Sequence, residues 1–215
     1  MSTSPPAPKP WATLLVVAAL PLLAVVTMYR LHDVQISLMT RDPTGIAGIH
    51  PLAGFLSSLG VLMWWTAASV WLFSALLHRA AGDGPKLRFA LASGALSMYL
   101  GLDDLFQFHE RLAPRHLGVP ERVVLTAIVL SAALYLVTFR RQILRAQGSL
   151  LAVAFGFLAA SVAFDSVLAS WIWRLKGWTY LFEDGSKWVG IVFWCGFAVT
   201  RCRADLLALR HERSH

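Results

Sequence analysis

Two short stretches carry most of the residues able to do chemistry. Residues 103–110 read Asp-Asp-Leu-Phe-Gln-Phe-His-Glu, and residues 183–187 read Glu-Asp-Gly-Ser-Lys. Carboxylate oxygens and an imidazole are donors that a divalent cation accepts. Carboxylates beside an ammonium also make a proton relay or a cation site. Asp104, Asp165 and Lys187 are the candidate catalytic residues, with the two carboxylates as ligands or proton acceptors and Lys187 as their counter-ion. Asp103, Asp104, His109, Glu110 and Glu183 are the candidate ligands of a divalent metal ion.

These groups stand out because the rest of the chain is so apolar. Of its 215 residues, 57% are hydrophobic and 14% are charged, against roughly 45–50% and about 25% in soluble domains. A sphere of this size cannot bury that much apolar surface and stay in solution. The composition therefore excludes a cytosolic enzyme, a disordered chain and a disulfide-rich secreted module. Cys195 and Cys202 lie seven residues apart on one expected helix, about 10 Å along its axis, too far for a disulfide. The formal charge of +7 is spread over loops without a patch or an RNA-binding motif, so no nucleic-acid partner is expected.

A bilayer core needs about 20 mostly apolar residues per helix. Six segments meet that need: Trp11–Tyr29, Leu52–Leu77, Phe89–Phe108, Val123–Phe139, Leu150–Trp173 and Leu181–Thr200. The expected fold is an all-α, polytopic membrane bundle of six transmembrane helices over residues 11–200. Residues 1–10, rich in Ser and Pro, form a disordered tail. Residues 201–215 form a basic tail with a short interfacial helix at Leu206–Leu209. Of the 19 Lys and Arg residues, 11 fall on the side of the termini and 8 on the other. By the positive-inside rule both termini are cytoplasmic, which predicts an integral inner-membrane protein with lipids as its surroundings. Trp171, Trp173, Trp178 and Tyr180 make an aromatic belt at the outer interface. Nine of the 12 acids lie on or toward the outer side, and solubility does not require that.

Counting along the spans places the polar groups at one depth. Asp103 and Asp104 lie 14 and 15 residues beyond Phe89, and Asp165 lies 15 beyond Leu150. Lys187 follows Leu181 by six residues on a span of opposite direction, about 9 Å below the outer boundary. Thr126 comes near this level, and Ser57 and Ser58 are candidates to join it. At 100° per residue, Ser93, Ser97, Asp104 and Gln107 share a stripe with Gly101, small enough for close helix approach. Asp104 accordingly faces the bundle. In a regular helix His109 points away from Asp104, and it joins the cluster only where the helix ends or bends near Phe108. Glu183 precedes Lys187 by four residues, a spacing that favours an ion pair. Asp184 is accounted for by the helix dipole, and Trp64, Trp65 and Trp71 by packing or lipid contact.

A lone charge in hydrocarbon costs roughly 2.5–3.5 kcal/mol on insertion scales. The cluster must therefore be paired, protonated or wetted. Three functions accommodate it. The first is a membrane-embedded enzyme, such as a hydrolase of a lipid-like substrate, in which a metal activates water. The second is a proton- or cation-coupled carrier, with a homo-oligomer supplying the symmetry that one copy lacks. The third is an assembly partner whose buried charges are structural. No His-Glu-x-x-His zinc signature is present. The HxxxH pair and Ser-paired His of ceramidase-like and progestin-receptor-like membrane hydrolases are also missing.

Overall fold

The computed structural model describes residues 11–144, 148–166 and 178–212. Among them there are helices and turns but no strand, and the fold is all-α. The expected tail at residues 1–10, the belt residues Trp171 and Trp173, and the side chain of Asp165 lie outside the described residues. The chain divides into two compact units, Met1–Ala53 and Gly54–His215, a division absent from the single domain expected over 11–200.

The first unit holds α1 (Trp11–His32) and two five-residue helices, α2 (Ile36–Thr40) and α3 (Pro43–Ala47). Asp33 turns the chain out of α1 with φ 53°, a left-handed conformation that Asp tolerates better than most residues.

The second unit holds α4 (Phe55–Ala81), α5 (Gly84–Phe106), a π-helical segment (Phe108–Leu117), α6 (Glu121–Leu144), α7 (Gly148–Ser166) and α8 (Trp178–Glu212). Each of the six apolar stretches thus carries a long helix. On length and composition, α4 and α6 are long and apolar enough to cross a membrane. Helix α8 runs unbroken for 35 residues, about 52 Å. Residues 201–212 are therefore its last turns, and the separate helix expected at Leu206–Leu209 does not form. The reason is packing: Cys202 and Asp205 are buried within the unit.

Helices α4, α5 and α8 pack together, and α7 packs on α8. Their shared core is aromatic, built on Trp64, Trp71, Phe89, Trp194 and Phe197. Trp71 meets Phe89 edge-on with ring centroids 5.3 Å apart, the geometry that ring quadrupoles favour. Two glycines let these helices approach. A Cβ on Gly101 would lie 3.1 Å from Trp64 Cβ, and one on Gly190 only 2.8 Å from Leu158 Cγ. Close backbone contact of this kind drives helix association where lipid removes the hydrophobic incentive.

The α4–α5 connection is written locally in Gly82-Asp83-Gly84-Pro85. Gly82, at φ 72°, donates its N–H to the end of α4, and Asp83 N–H bonds His78 O at 3.0 Å. Asp83 then caps α5 by accepting the Lys86 N–H at 3.1 Å, and Pro85 sits in the first turn, where its missing donor does no harm. Burial pushes the Asp83 carboxyl up, but the Lys86 N–H and the Lys86 ammonium outweigh it and hold it below the usual range.

Candidate functional site

Helix α5 does not continue through the Asp-Asp-Leu-Phe-Gln-Phe-His-Glu stretch. Gln107 adopts φ 48°, ψ 48° and ends it. Such a conformation costs a non-glycine residue about 1–2 kcal/mol. The chain recovers that at Asp103, whose Oδ1 accepts the His109 N–H at 3.0 Å and whose Oδ2 lies 2.6 Å from His109 Nδ1. One carboxylate thereby starts the π-helical segment and fixes the imidazole in it. Charge-assisted bonds of this length are roughly twice as strong as neutral ones. Pro114, which removes a donor and crowds the turn before it, lies inside this wider helix.

Because the carboxylate takes the Nδ1 proton, the free lone pair of neutral His109 is on Nε2. That nitrogen lies 3.6 Å from Glu110 Oε1. The hydrogen bond from Asp103 raises the His109 pKa above its ordinary value. Burial works against it, the Asp103 and Glu110 charges add to it, and Lys187 subtracts. The imidazole side chain is 16% exposed and Glu110 46%, so the series Asp103, His109, Glu110 leads from the interior outward.

Asp104 points the other way, into the bundle, and is 6% exposed. Its Oδ1 pairs with the Lys187 ammonium of α8, and its Oδ2 accepts the Trp64 indole N–H of α4 at 3.0 Å. Both oxygens of a buried carboxylate are satisfied, by groups from two other helices, as burial demands. Beside the pair a cleft is lined by Leu56, Ser57, Gly60, Asp104, Asp184 and Lys187. Its enclosed part has room for about one water molecule.

The structure therefore brings together Asp104 and Lys187, as expected from depth counting, and Asp103 with His109 and Glu110. His109 joins through the helix break that its inclusion required. Asp165 lies in the last turn of α7, with its side chain outside the described residues. Glu183 is partly buried in α8, while Asp184 lines the cleft beside Lys187. Asp184 is thus part of the site and more than a partner of the helix dipole. Ser57 lines the cleft as anticipated. Thr126 does not join, because its hydroxyl bonds the Arg122 carbonyl of its own helix on an exposed face. Trp64, read from sequence as packing or lipid-facing, is the partner of Asp104 that was missed. The usable signal was that a buried indole N–H needs an acceptor, and Asp104 is an acceptor facing the bundle.

Of the five candidate metal ligands, Asp103, His109 and Glu110 lie together, Asp104 faces Lys187, and Glu183 is partly buried in α8. Among the described residues no three His, Cys, Asp or Glu side chains gather to hold an ion. The physical reason is competition: Asp104 is taken by Lys187 and Trp64, and Asp103 by two groups of His109.

Below Asp104 the polar stripe of α5 continues inward. Trp194 Nε1 donates to Ser97 Oγ at 2.8 Å, and Ser93 Oγ and Tyr135 OH are 2.8 Å apart. Both serines are fully buried. No curated protein and no solved structure matches the chain. A family model described as a domain of unknown function (DUF8692) matches residues 11–200, and the chain therefore belongs to that family.

Proposed function

We propose that this chain is a six-span inner-membrane protein, both termini cytoplasmic, whose Asp103–His109–Glu110 and Asp104–Lys187 groups exchange protons at the outer side of the bilayer in a proton-coupled carrier. Six long helices on six apolar stretches support the spans. So do the exposed apolar faces of α4 (Leu62, Phe73, Leu76) and α6 (Leu130, Leu134, Val137), since a face this apolar suits acyl chains better than water. The excess of Lys and Arg on the side of the termini supports the orientation.

One observation carries the proton chemistry: the 2.6 Å contact between Asp103 Oδ2 and His109 Nδ1. A carboxylate on one nitrogen makes the other more basic, so His109 Nε2 takes up and releases a proton near neutral pH. The enclosed part of the cleft beside Asp104 and Lys187 has room for about one water. Titrating ring-15N-histidine-labelled protein in nanodiscs tests this. His109 should titrate above the ordinary imidazole value, and Asp103→Asn should lower it; a His109 that never titrates between pH 5 and 9 defeats the proposal.

A second reading is favoured by the same pair beside Lys187. Asp103 and His109 form a general base for water, and an ammonium nearby stabilises a developing oxyanion on a lipid-like substrate. Release of fatty acid or headgroup from vesicle lipids, lost in His109→Gln, would select this hydrolase over the carrier.

A further inference from the structure

A second set of ionisable groups lies at the other end of the helices that carry Trp64, Asp104 and Lys187. His78, near the C-terminus of α4, has a side chain 1% exposed, and its Nε2 lies 3.2 Å from Asp205 Oδ2 of α8. Arg201 Nε donates to the same oxygen at 3.1 Å, and its guanidinium lies 6.0 Å from the centre of the Phe89 ring. Asp83 of the α4–α5 turn is close enough to feel the His78 charge. Cys202 of α8 feels Asp205 and touches Ser74. This is an imidazole–carboxylate pair held in the interior, with an arginine on the carboxylate. Neither the spans nor the site at Asp104 requires it.

Three polar atoms on one face of α4 lead away from it. His78 Nδ1 and Trp71 Nε1 are buried and lack a hydrogen-bond partner among the described residues, and buried Ser74 Oγ between them is met by the Cys202 thiol. Positions 71, 74 and 78 fall on one helical stripe. Buried polar atoms left unsatisfied are costly, and bound water is the partner that such atoms ordinarily take. A Cβ on Gly94 of α5 would lie 3.4 Å from Trp71 Cβ, so α4 and α5 approach closely at Trp71. Along α5 follow three further polar groupings, Ser93 with Tyr135, Ser97 with Trp194, and Asp104 with Trp64 and Lys187, the two serines also donating to the Phe89 and Ser93 carbonyls.

We infer that His78 and Asp205 form a second proton site, and that the internal polar stripe, completed by bound water, conducts protons along the Gly54–His215 unit between this pair and Asp104. The inference rests on the proton-exchange reading of the Asp103–His109 site. Each bound water in the path accepts a proton on a lone pair and releases its own onward, and the Ser93 and Ser97 hydroxyls do so by rotating off the Phe89 and Ser93 carbonyls that they otherwise bond. One proton enters, one leaves, and no bond to carbon changes. The indole N–H groups of Trp64, Trp71 and Trp194 donate but do not relay; they hold the waters and the Asp104 carboxylate in line.

The test uses the full chain in liposomes with an entrapped pH dye and a potassium diffusion potential. The expected wild-type proton flux exceeds that of protein-free liposomes at least tenfold. His78→Gln and Asp205→Asn should lower it at least tenfold. Both alter buried partners, so Ser74→Ala, which removes only the hydroxyl, is the companion, with a fivefold or larger loss expected at unchanged near-UV circular dichroism. Wild-type flux no greater than that of empty liposomes overturns the inference, as does full flux in a natively folded Ser74→Ala together with His78→Gln. If His109 still titrates in an Asp103-dependent manner while flux is absent, the path alone is lost. If His109 does not titrate, the proton-exchange reading falls first.

Discussion

The His78–Asp205 and Asp103–His109 imidazole–carboxylate pairs are built in opposite ways. At the Asp104 end, His109 meets Asp103 across six residues, through a break in one helix. At the other end, His78 meets Asp205 across 127 residues, through the packing of α4 on α8. The local pair leads outward to the exposed Glu110, whereas the tertiary pair is enclosed and shared with Arg201. A pair made by a turn can open to water without loosening the bundle. A pair made by packing exists only while the bundle does, so its ionisation and the fold are coupled.

The largest break is expected at the ion pair beside the local site. Lys187→Met leaves a carboxylate that is 6% exposed without its ammonium. Removing one partner of a buried pair costs about 3 kcal/mol. Combining it with Asp104→Asn should restore most of that stability, because no charge is then stranded. Denaturant unfolding in detergent, followed by tryptophan fluorescence, reads both. A double variant no more stable than Lys187→Met would mean that packing, rather than charge, sets the cost.

The comparison itself predicts unequal truncations. His78→Ala opens a cavity in the core and removes one of the two groups bonded to Asp205, at about 2.5 kcal/mol. His109→Ala removes a half-buried ring while the 109 N–H still reaches Asp103, at about 1 kcal/mol. Equal losses would erase the distinction between a tertiary and a local pair.

That distinction also decides what the sequence could reveal. Apolar runs located every long helix, because bilayer-length hydrophobicity is a one-dimensional signal. Depth counting brought Asp104 and Lys187 to one level, and their helices do pair them. It could not supply Trp64, whose role depends on how α4 is rotated against α5. His109 was legible only as a condition, since a left-handed Gln107 leaves little trace in residue type. His78 and Asp205 were hidden among the flanking basic residues, and Arg201 was read as a topology signal. Nothing in composition says that α8 runs on past Thr200 to bury Asp205.

A pH effect, smaller than either truncation, sharpens the local half. The native His109 pKa is raised by the Asp103 hydrogen bond. A raised native value means stability fully present below the ordinary 6.5 and lost as pH rises through the native value. Only the charge assistance is lost, because the neutral ring still bonds the carboxylate. Protection of the residue 108–117 amides, measured against the intrinsic exchange rate at each pH, should therefore fall as pH rises above 6.5 in the wild type and change less in Asp103→Asn. Protection that grows over this range would show that His109 is held neutral.

The smallest effect concerns the turn that holds His78. Asp83 caps α5 and donates its N–H to His78 O, so the tertiary pair rests on one local device. Asp83→Ala removes the cap but keeps the backbone bond, and should cost about 0.5 kcal/mol. The carboxyl is held below its ordinary range by the Lys86 N–H and ammonium against burial. Its contribution is thus present above the ordinary 3.8 and fades as pH falls through the lower native value. Above that range the wild type should exceed Asp83→Ala by the cap energy, and in stronger acid the two should converge. A gap that persists in acid would mean that the side chain acts by shape and not by charge. His78 would then be positioned by the glycine-led turn alone.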